Sequence, residues 1–211
     1  MVVEADLVEE VVPVAGRDLR VRRPRDGDAL LDEAAFAHEE YLPYWAELWP
    51  SGVALARAIG GRALRGARTL ELGCGLGLVS IAAALAGARV LATDWSPDAV
   101  EMTARNAALN GARLEVLRCP WGSPQPLLAR APWDLVLAAD VLYEARNGDA
   151  LLPLLPRLVR GAGEVWLADP GRPPADRFLA AVGEVFAVES RPARELPQGA
   201  VHRLRLRESG R

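Results

Sequence analysis

The spacing of apolar positions along the chain changes period several times, and each change predicts an element. Val8, Val11, Val12 and Val14 lead into Ala15-Gly16-Arg17-Asp18, after which Leu19-Arg20-Val21-Arg22 alternates apolar and polar side chains. Strand side chains alternate between faces, so this pattern predicts a β-hairpin over 8–24. Residues 28–42 carry apolar positions at helical spacing and predict an amphipathic helix with Asp28 near its start. A Trp- and Pro-rich segment, Pro43-Tyr44-Trp45-Ala46-Glu47-Leu48-Trp49-Pro50, comes next. It runs into a second predicted helix, 51–60, with Ser51 as candidate N-cap and Gly60-Gly61 as the stop.

From there strands and helices alternate. Short apolar runs predict strands near 68–72, 88–93, 113–118, 133–139 and 163–168, separated by helical patterns near 78–86, 97–110, 148–160 and 173–183. Ser96-Pro97 is a helix start, because proline suits the first helical position, and Asn110-Gly111 is a helix stop. Such alternation predicts a parallel sheet covered on both faces. Two tail strands, 184–190 and 200–207, are separated by a Pro/Gly loop and predict an antiparallel hairpin at the sheet edge. The whole reads as one globular unit, with 1–61 forming a hairpin and helices over the site and 62–211 forming the core.

Composition narrows the partners. The 211 residues suffice for one domain with a two-sided core. A net charge of −3 supplies no basic field to draw in nucleic acid. All 25 basic residues are arginine, which reads as coding bias rather than mechanism. The two cysteines, Cys74 and Cys119, are 45 positions apart without a C-x-x-C pair, so zinc is not expected. Both sit beside predicted strand ends, and reduced thiols in a reducing compartment are expected. The opening residues carry Glu4, Asp6, Glu9 and Glu10 where a secretory signal needs positive charge, and no apolar run reaches membrane-spanning length. A cytoplasmic protein without membrane contact is the expectation. His38 and His202 are isolated, so no metal site is expected.

The chemistry concentrates in Leu70-Glu71-Leu72-Gly73-Cys74-Gly75-Leu76-Gly77, which follows an apolar strand and opens an apolar helix. Glycines there permit a tight turn and close approach of backbone to a ligand, and the helix N-terminus favours an anionic group. Leu78 stands where a dinucleotide-binding loop has its third glycine. Asp94 ends the next strand, 17 positions after Gly77. An acid so placed can accept hydrogen bonds from two ribose hydroxyls, or can cap the following helix.

The E-x-G-x-G-x-G pattern resembles motif I of class I S-adenosylmethionine (SAM)-dependent methyltransferases. The resemblance implies an α/β, Rossmann-like, doubly wound seven-stranded sheet, mostly parallel with an antiparallel C-terminal edge. It also implies that the loop wraps the methionine part of SAM, with S-adenosylhomocysteine (SAH) as product. Glu71, Gly73, Cys74, Gly75, Asp94 and Ala139 become the expected cofactor residues, and Trp95 could pack on the adenine.

Three further segments narrow the resemblance. They are Pro43–Gly52, the run from Trp133 through Ala139-Asp140-Val141-Leu142-Tyr143, and Asp169-Pro170-Gly171-Arg172-Pro173. Together they look like the seven-strand protein lysine methyltransferases of the "methyltransferase family 16" type, most of all the branch that methylates the electron transfer flavoprotein β subunit. That resemblance spans about Leu42 to Pro173 and makes Asp140-x-x-Tyr143 the D-x-x-Y signature. Asp140 could bind the incoming ammonium and hold the amine, or could simply cap a helix; Tyr143 could wall the pocket or accept a hydrogen bond. A tryptophan of the first segment lies over SAM in the family, and Trp49 is the first choice, with Trp45 either beside the substrate or in the core. Trp121 is expected to stack, although Pro120 replaces the acid that reaches the adenine in relatives. Arg172 could contact an acidic or carbonyl-rich stretch flanking the target lysine, or could be a solvated loop residue.

Three functions stay open on these grounds: methyl transfer to a protein lysine, methyl transfer to a small amine such as nicotinamide, and a SAM-binding assembly factor without catalysis. A nucleic-acid methyltransferase fits less well, because Ala139-Asp140-Val141-Leu142 stands where an N/D-P-P-Y/F motif would be. A monomer is expected.

Overall fold

The computed structural model describes residues 6–27 and 43–207. The helix expected over 28–42, with His38 on it, lies outside the described residues. The hairpin forms as expected but longer: β1 (Leu7–Val14) pairs antiparallel with β2 (Arg17–Pro24) in a small sheet of its own. Ala15 and Gly16 make the turn, both with positive φ.

The main sheet has seven strands: β3 (Arg68–Leu72), β4 (Arg89–Asp94), β5 (Glu115–Arg118), β6 (Trp133–Ala139), β7 (Val159–Asp169), β8 (Phe186–Ala193) and β9 (Leu196–Leu206). Their spatial order is β5-β4-β3-β6-β7-β9-β8. Strands β3 to β7 are parallel, whereas β9 runs antiparallel to both β7 and β8. The mostly parallel sheet with an antiparallel C-terminal edge is thus the observed fold. From β3 the chain winds outward through β4 to β5, then returns to place β6 on the other side of β3. That reversal opens a crevice at the carboxyl ends of β3 and β6, where open α/β sheets bind ligands.

Among the described residues six α-helices cover the sheet: α1 (Pro50–Gly60), α2 (Leu78–Leu85), α3 (Pro97–Leu109), α4 (Gln125–Leu128), α5 (Ala145–Leu158) and α6 (Pro173–Val182). Alternation along β6 sends Leu135 and Leu137 to one face and Val136 and Ala138 to the other. On the first face Leu55 and Ile59 of α1, Ile81 of α2 and Met102 of α3 meet Val12, Leu19 and Val21 of the hairpin. On the second, Leu127 of α4, Leu151 and Leu155 of α5 and Phe178 of α6 pack together. Leu137 is fully buried, so truncating it to alanine costs about 2–5 kcal/mol.

Several boundaries differ from the sequence reading for identifiable reasons. Ser51 does not cap α1: Pro50 takes the first helical position, Trp49 is the N-cap residue without a side-chain bond, and the Ser51 hydroxyl turns inward. Ser96 does cap α3, accepting from the Ala99 N–H, and Asn110 with left-handed Gly111 ends it. Helix α5 begins at Ala145 and stops at Leu158, because β7 starts at Val159 and pairs with Trp133 before a register shift. The C-terminal hairpin turns tightly at 194–195, so Pro197 and Gly199 lie within β9 rather than in a connecting loop. The four-residue α4 was not expected at all. Among the described residues, no helix is long and apolar enough to cross a membrane.

Candidate active site

The glycine loop is shaped by backbone that only glycine adopts freely. Gly73, Gly75 and Gly77 have φ of 72°, 51° and 82°. The N–H groups of Gly73 and Cys74 both donate to the Thr93 carbonyl at 2.9 Å, which fastens the loop to the end of β4. A Cβ on Gly75 would stand 3.3 Å from the Trp45 carbonyl oxygen, and one on Gly73 would stand 3.1 Å from a Val141 methyl and 3.6 Å from the Trp121 ring. The loop is therefore closed in by the Trp-rich entry segment on one side and by the segments after β5 and β6 on the other.

Helix α3 braces this loop from behind with two residues that the sequence reading passed over. The Thr103 hydroxyl donates to the Gly75 carbonyl at 2.9 Å, and its side chain fills the space beside Gly77. The Asn106 amide donates to the Leu76 carbonyl and to the Arg22 carbonyl, each at 2.9 Å, while its oxygen accepts from the Arg22 N–H at 2.8 Å. Both side chains are fully buried on the otherwise apolar face of α3. Polar residues at i and i+3 on that face were the available signal. Asn106 ties the N-terminal hairpin to the glycine loop.

Loop, entry segment and strand ends enclose a cavity of about 770 Å³. Glu71, Gly73, Cys74 and Gly75 border it from β3 and the loop, and Asp94 and Trp95 from the end of β4. Trp121 follows β5, Ala139, Asp140 and Tyr143 follow β6, and Trp45, Trp49 and Arg172 close the mouth. The residues expected from the sequence to bind cofactor, bind substrate or act on it thus all border one cavity.

The floor of this cavity is acidic and its carboxyls are buried. Burial pushes the Glu71 carboxyl up to about 8, against the Ser80 hydroxyl that donates to it and with the neighbouring Asp94 charge adding to the rise. Burial likewise raises Asp94, although Oδ2 accepts from the Gly75 N–H and Oδ1 from the Ser96 N–H, each at 3.0 Å. Burial, with Asp94 and Glu71 close by, also pushes the Cys74 thiol up. Burial disfavours the charged form of both carboxyls, and a positively charged ligand beside them would offset that penalty. The residue at the N-cap of α3 is Ser96, so Asp94 is free of that task and its carboxylate joins the loop to the cavity.

Asp140 is not a helix cap either: α5 starts five residues later, at Ala145, with Glu144 as its N-cap residue. Its φ is 55°, a left-handed conformation uncommon for a residue with a side chain. The Asp140 N–H donates to the Ala168 carbonyl, its Oδ2 accepts from the Ser51 hydroxyl at 3.1 Å, and its Oδ1 accepts from Arg172 Nε at 2.9 Å. Arg172 is therefore no solvated loop residue; its fork is engaged inside the site. Above this pair lie three aromatic rings. Tyr44 sits 5.1 Å from Tyr143 and 6.4 Å from Trp49, whose indole N–H donates to the Tyr44 carbonyl at 2.8 Å. Burial raises the Tyr143 phenol, with the neighbouring Asn147 side chain opposing the rise.

The chain has relatives that match this site and fold. The lysine methyltransferase family profile matches residues 38–184. The electron transfer flavoprotein β subunit lysine methyltransferase of Xenopus laevis is 39% identical over 136 residues, covering 62% of this chain and 53% of the relative. Protein N-lysine methyltransferase METTL21A of Danio rerio is 36% identical over 152 residues, covering 68% and 69%. The chain spans about half the length of the flavoprotein-directed relatives it matches. Among solved structures, the ribosomal protein L11 methylase of Lactobacillus delbrueckii subsp. bulgaricus has a TM-score of 0.57 at 26% identity, covering 73% of this chain and 78% of its own. The 16S rRNA N2 G1207 methyltransferase of T. Thermophilus, in complex with AdoMet and guanosine, has a TM-score of 0.71 at 17% identity, covering 95% and 51%; it shares the fold. With the family profile matched from the entry segment to the end of α6, the chain belongs to the lysine methyltransferase family.

Proposed function

We propose that this protein transfers a methyl group from SAM to a lysine side chain of a protein, with the β subunit of the host's electron transfer flavoprotein as the first substrate to test. The observation that carries the reading is a cavity in which two buried carboxyls, Glu71 and Asp94, flank a left-handed glycine loop and open onto the carboxylate of Asp140. Gly73 and Gly75 leave room that a Cβ would fill, which fits a ligand pressed against the backbone.

In this reading Asp94 accepts hydrogen bonds from the ribose, and Glu71, Cys74 and the loop backbone hold the methionine end. Trp95 and Trp121 offer flat surfaces for the adenine. SAM supplies a methyl group on a sulfonium, whose leaving group needs no further activation, so the protein contributes mainly proximity and orientation. Asp140 orients the target nitrogen, and Tyr44, Tyr143 and Trp49 wall the channel through which the lysine stem enters, their ring faces packing on its methylene groups. S-adenosylhomocysteine leaves as product. A protein substrate is supported by the family and by a mouth formed from surface segments rather than a closed chamber.

The test is isotopically labelled SAM added to host lysate and, separately, to recombinant flavoprotein β subunit, with products resolved by gel and by mass spectrometry. A labelled protein band that maps to lysine supports the proposal. Label confined to nicotinamide or other small amines contradicts it.

A further inference from the structure

The carboxylate of Asp140 faces a cation already in place. Arg172 directs Nε (2.9 Å) and Nη2 (2.8 Å) at the same oxygen, Oδ1, while Ser51 occupies Oδ2. The Asp140 side chain is 5% exposed and that of Arg172 34%. The arginine is held at its backbone as well. The N–H groups of Gly171 and Arg172 both donate to Asp169 Oδ1 at 2.8 Å. Gly171 has φ of 92°, and a Cβ on it would meet the Gln198 carbonyl, while one on Gly199 would overlap the Asp169 carbonyl. Close backbone approach between this turn and β9 thus fixes where the guanidinium is presented. On its far side the guanidinium carbon stands 5.7 Å from the centroid of the Trp49 ring.

A lysine that attacks a methyl group must be neutral, and its free side chain has a pKa of about 10.4. A lone carboxylate beside it would hold the proton on, because an opposite charge favours the charged form, whereas a neighbouring cation drives the proton off. We infer that Arg172 is a positioning residue for the acceptor: paired with Asp140, it cancels the charge of that carboxylate, so the lysine enters as the neutral amine and its proton goes to solvent. This inference rests on the reading of the site as a lysine methyltransferase. The bound nitrogen keeps an N–H on Asp140 and points its lone pair at the methyl carbon. It forms the new carbon–nitrogen bond and displaces sulfur, which retains the electron pair of the broken carbon–sulfur bond.

Other ionisable groups around the site do not share this hydrogen bond. Glu47 and Tyr44 belong to the entry segment, Tyr143 and Glu144 to the segment before α5, Arg146 to the first turn of α5, and Arg118 to the end of β5. Glu144 is paired with Arg146, and Arg118 donates to the Trp95 carbonyl. Glu71 and Asp94 line the floor, and Asp169, which accepts from the Arg172 N–H and whose charge acts on His202 of β9, lies behind Arg172. Arg172 is the cation whose bond to Asp140 is made directly.

The first test needs no turnover. n-Butylamine, as a lysine side-chain mimic, is titrated at about pH 8 into SAH-loaded wild type, Arg172→Gln and Arg172→Lys, in two buffers of different ionisation enthalpy. Wild type and Arg172→Lys are expected to release about one proton per amine bound, and Arg172→Gln almost none, given the pKa of the free amine. Arg172→Met, which keeps the contact with Trp49, replaces Arg172→Gln where that variant does not fold. The second test is the pH profile of kcat on a protein acceptor. Removing the charge is expected to lower kcat at about pH 7.5 by roughly tenfold or more, with the gap closing toward about pH 10 as the amine deprotonates unaided. Amine binding without proton release in wild type, no amine binding at all, or a loss of kcat equal at every pH would overturn the inference. A wild type that releases the proton yet methylates no protein would contradict the proposed substrate and leave the role of Arg172 standing.

Discussion

The Ser51 hydroxyl donates to Asp140 Oδ2 at 3.1 Å, joining the first turn of α1 to the end of β6 across 89 positions of sequence. Both residues are buried, so this oxygen has little water to fall back on. Ser51→Ala should therefore destabilise the protein by about 1–3 kcal/mol, the cost of an unmet buried acceptor. Urea unfolding measures it, and SAM affinity should stay within about threefold, because Ser51 does not border the cofactor end of the cavity. Undiminished stability would mean that the bond is not maintained in solution.

Asn106 supports the site without touching it. Asn106→Ala removes one acceptor and two donors that satisfy Arg22 and Leu76 backbone groups. A stability loss of about 2–4 kcal/mol follows from leaving several buried groups unpaired. Hydrogen exchange should also rise at the hairpin amides of β1 and β2, since Asn106 is their polar link to the glycine loop. Unchanged exchange there would show that the Asn110 bonds to the Arg20 N–H and carbonyl, with the apolar packing of Val12 and Val21, hold the hairpin without Asn106.

Gly75→Ala forces a side chain onto φ of 51° and to within 3.3 Å of the Trp45 carbonyl. Left-handed strain costs about 1–3 kcal/mol, and each 1.4 kcal/mol is tenfold in affinity. SAM binding measured by calorimetry should weaken by about tenfold or more. Gly61→Ala, outside the cavity, with φ of −82° and nothing within 4 Å of the added atom, is the control and should bind normally.

Burial sets a pH dependence with a definite sign. Glu71 keeps its proton up to about 8 in the folded, ligand-free protein, while the unfolded chain ionises near 4.5. Below 4.5 both states carry the proton, so the contribution to stability is fully present there. Between 4.5 and about 8 only the folded state binds it, so stability falls as pH rises through that window. The raised Asp94 acts in the same direction. Unfolding free energy of wild type should decline from pH 5 to 8, and Glu71→Gln, which has no proton to lose, should decline less. Parallel curves for the two proteins would contradict the burial argument.

The sheet was legible because its signals are local. The apolar runs at 68–72 and 133–139 became β3 and β6 unchanged, and Ser96-Pro97 and Asn110-Gly111 bounded α3 as expected. The glycine loop and the acid of Asp94 were legible for the same reason: their spacing is fixed by one strand–loop–helix unit. What escaped depends on partners far apart in sequence. Ser51 reads as a helix cap until Asp140 is brought beside it, and Arg172 reads as a loop residue until β6 and β7 lie adjacent. Within the tail, Pro197 and Gly199 suggested a loop, yet pairing of β9 with β7 and β8 carries the strand through both. Thr103 and Asn106 announced themselves only as polar residues on an apolar helix face, whose purpose needs the loop in place.

In the proposed function, Asp140 handles the acceptor and the glycine loop with Asp94 handles the cofactor. Asp140→Asn keeps the shape and the Ser51 contact but removes the charge that pairs with Arg172 and holds the amine. The most direct measurement is SAM affinity by calorimetry alongside methyl transfer to a protein acceptor by mass spectrometry, for wild type and Asp140→Asn. SAM binding within about threefold of wild type, with kcat reduced by about a hundredfold or more, is the predicted result, since general acid–base and positioning groups contribute on that order. Near-wild-type turnover at saturating acceptor, or SAM affinity that collapses together with turnover, would contradict it.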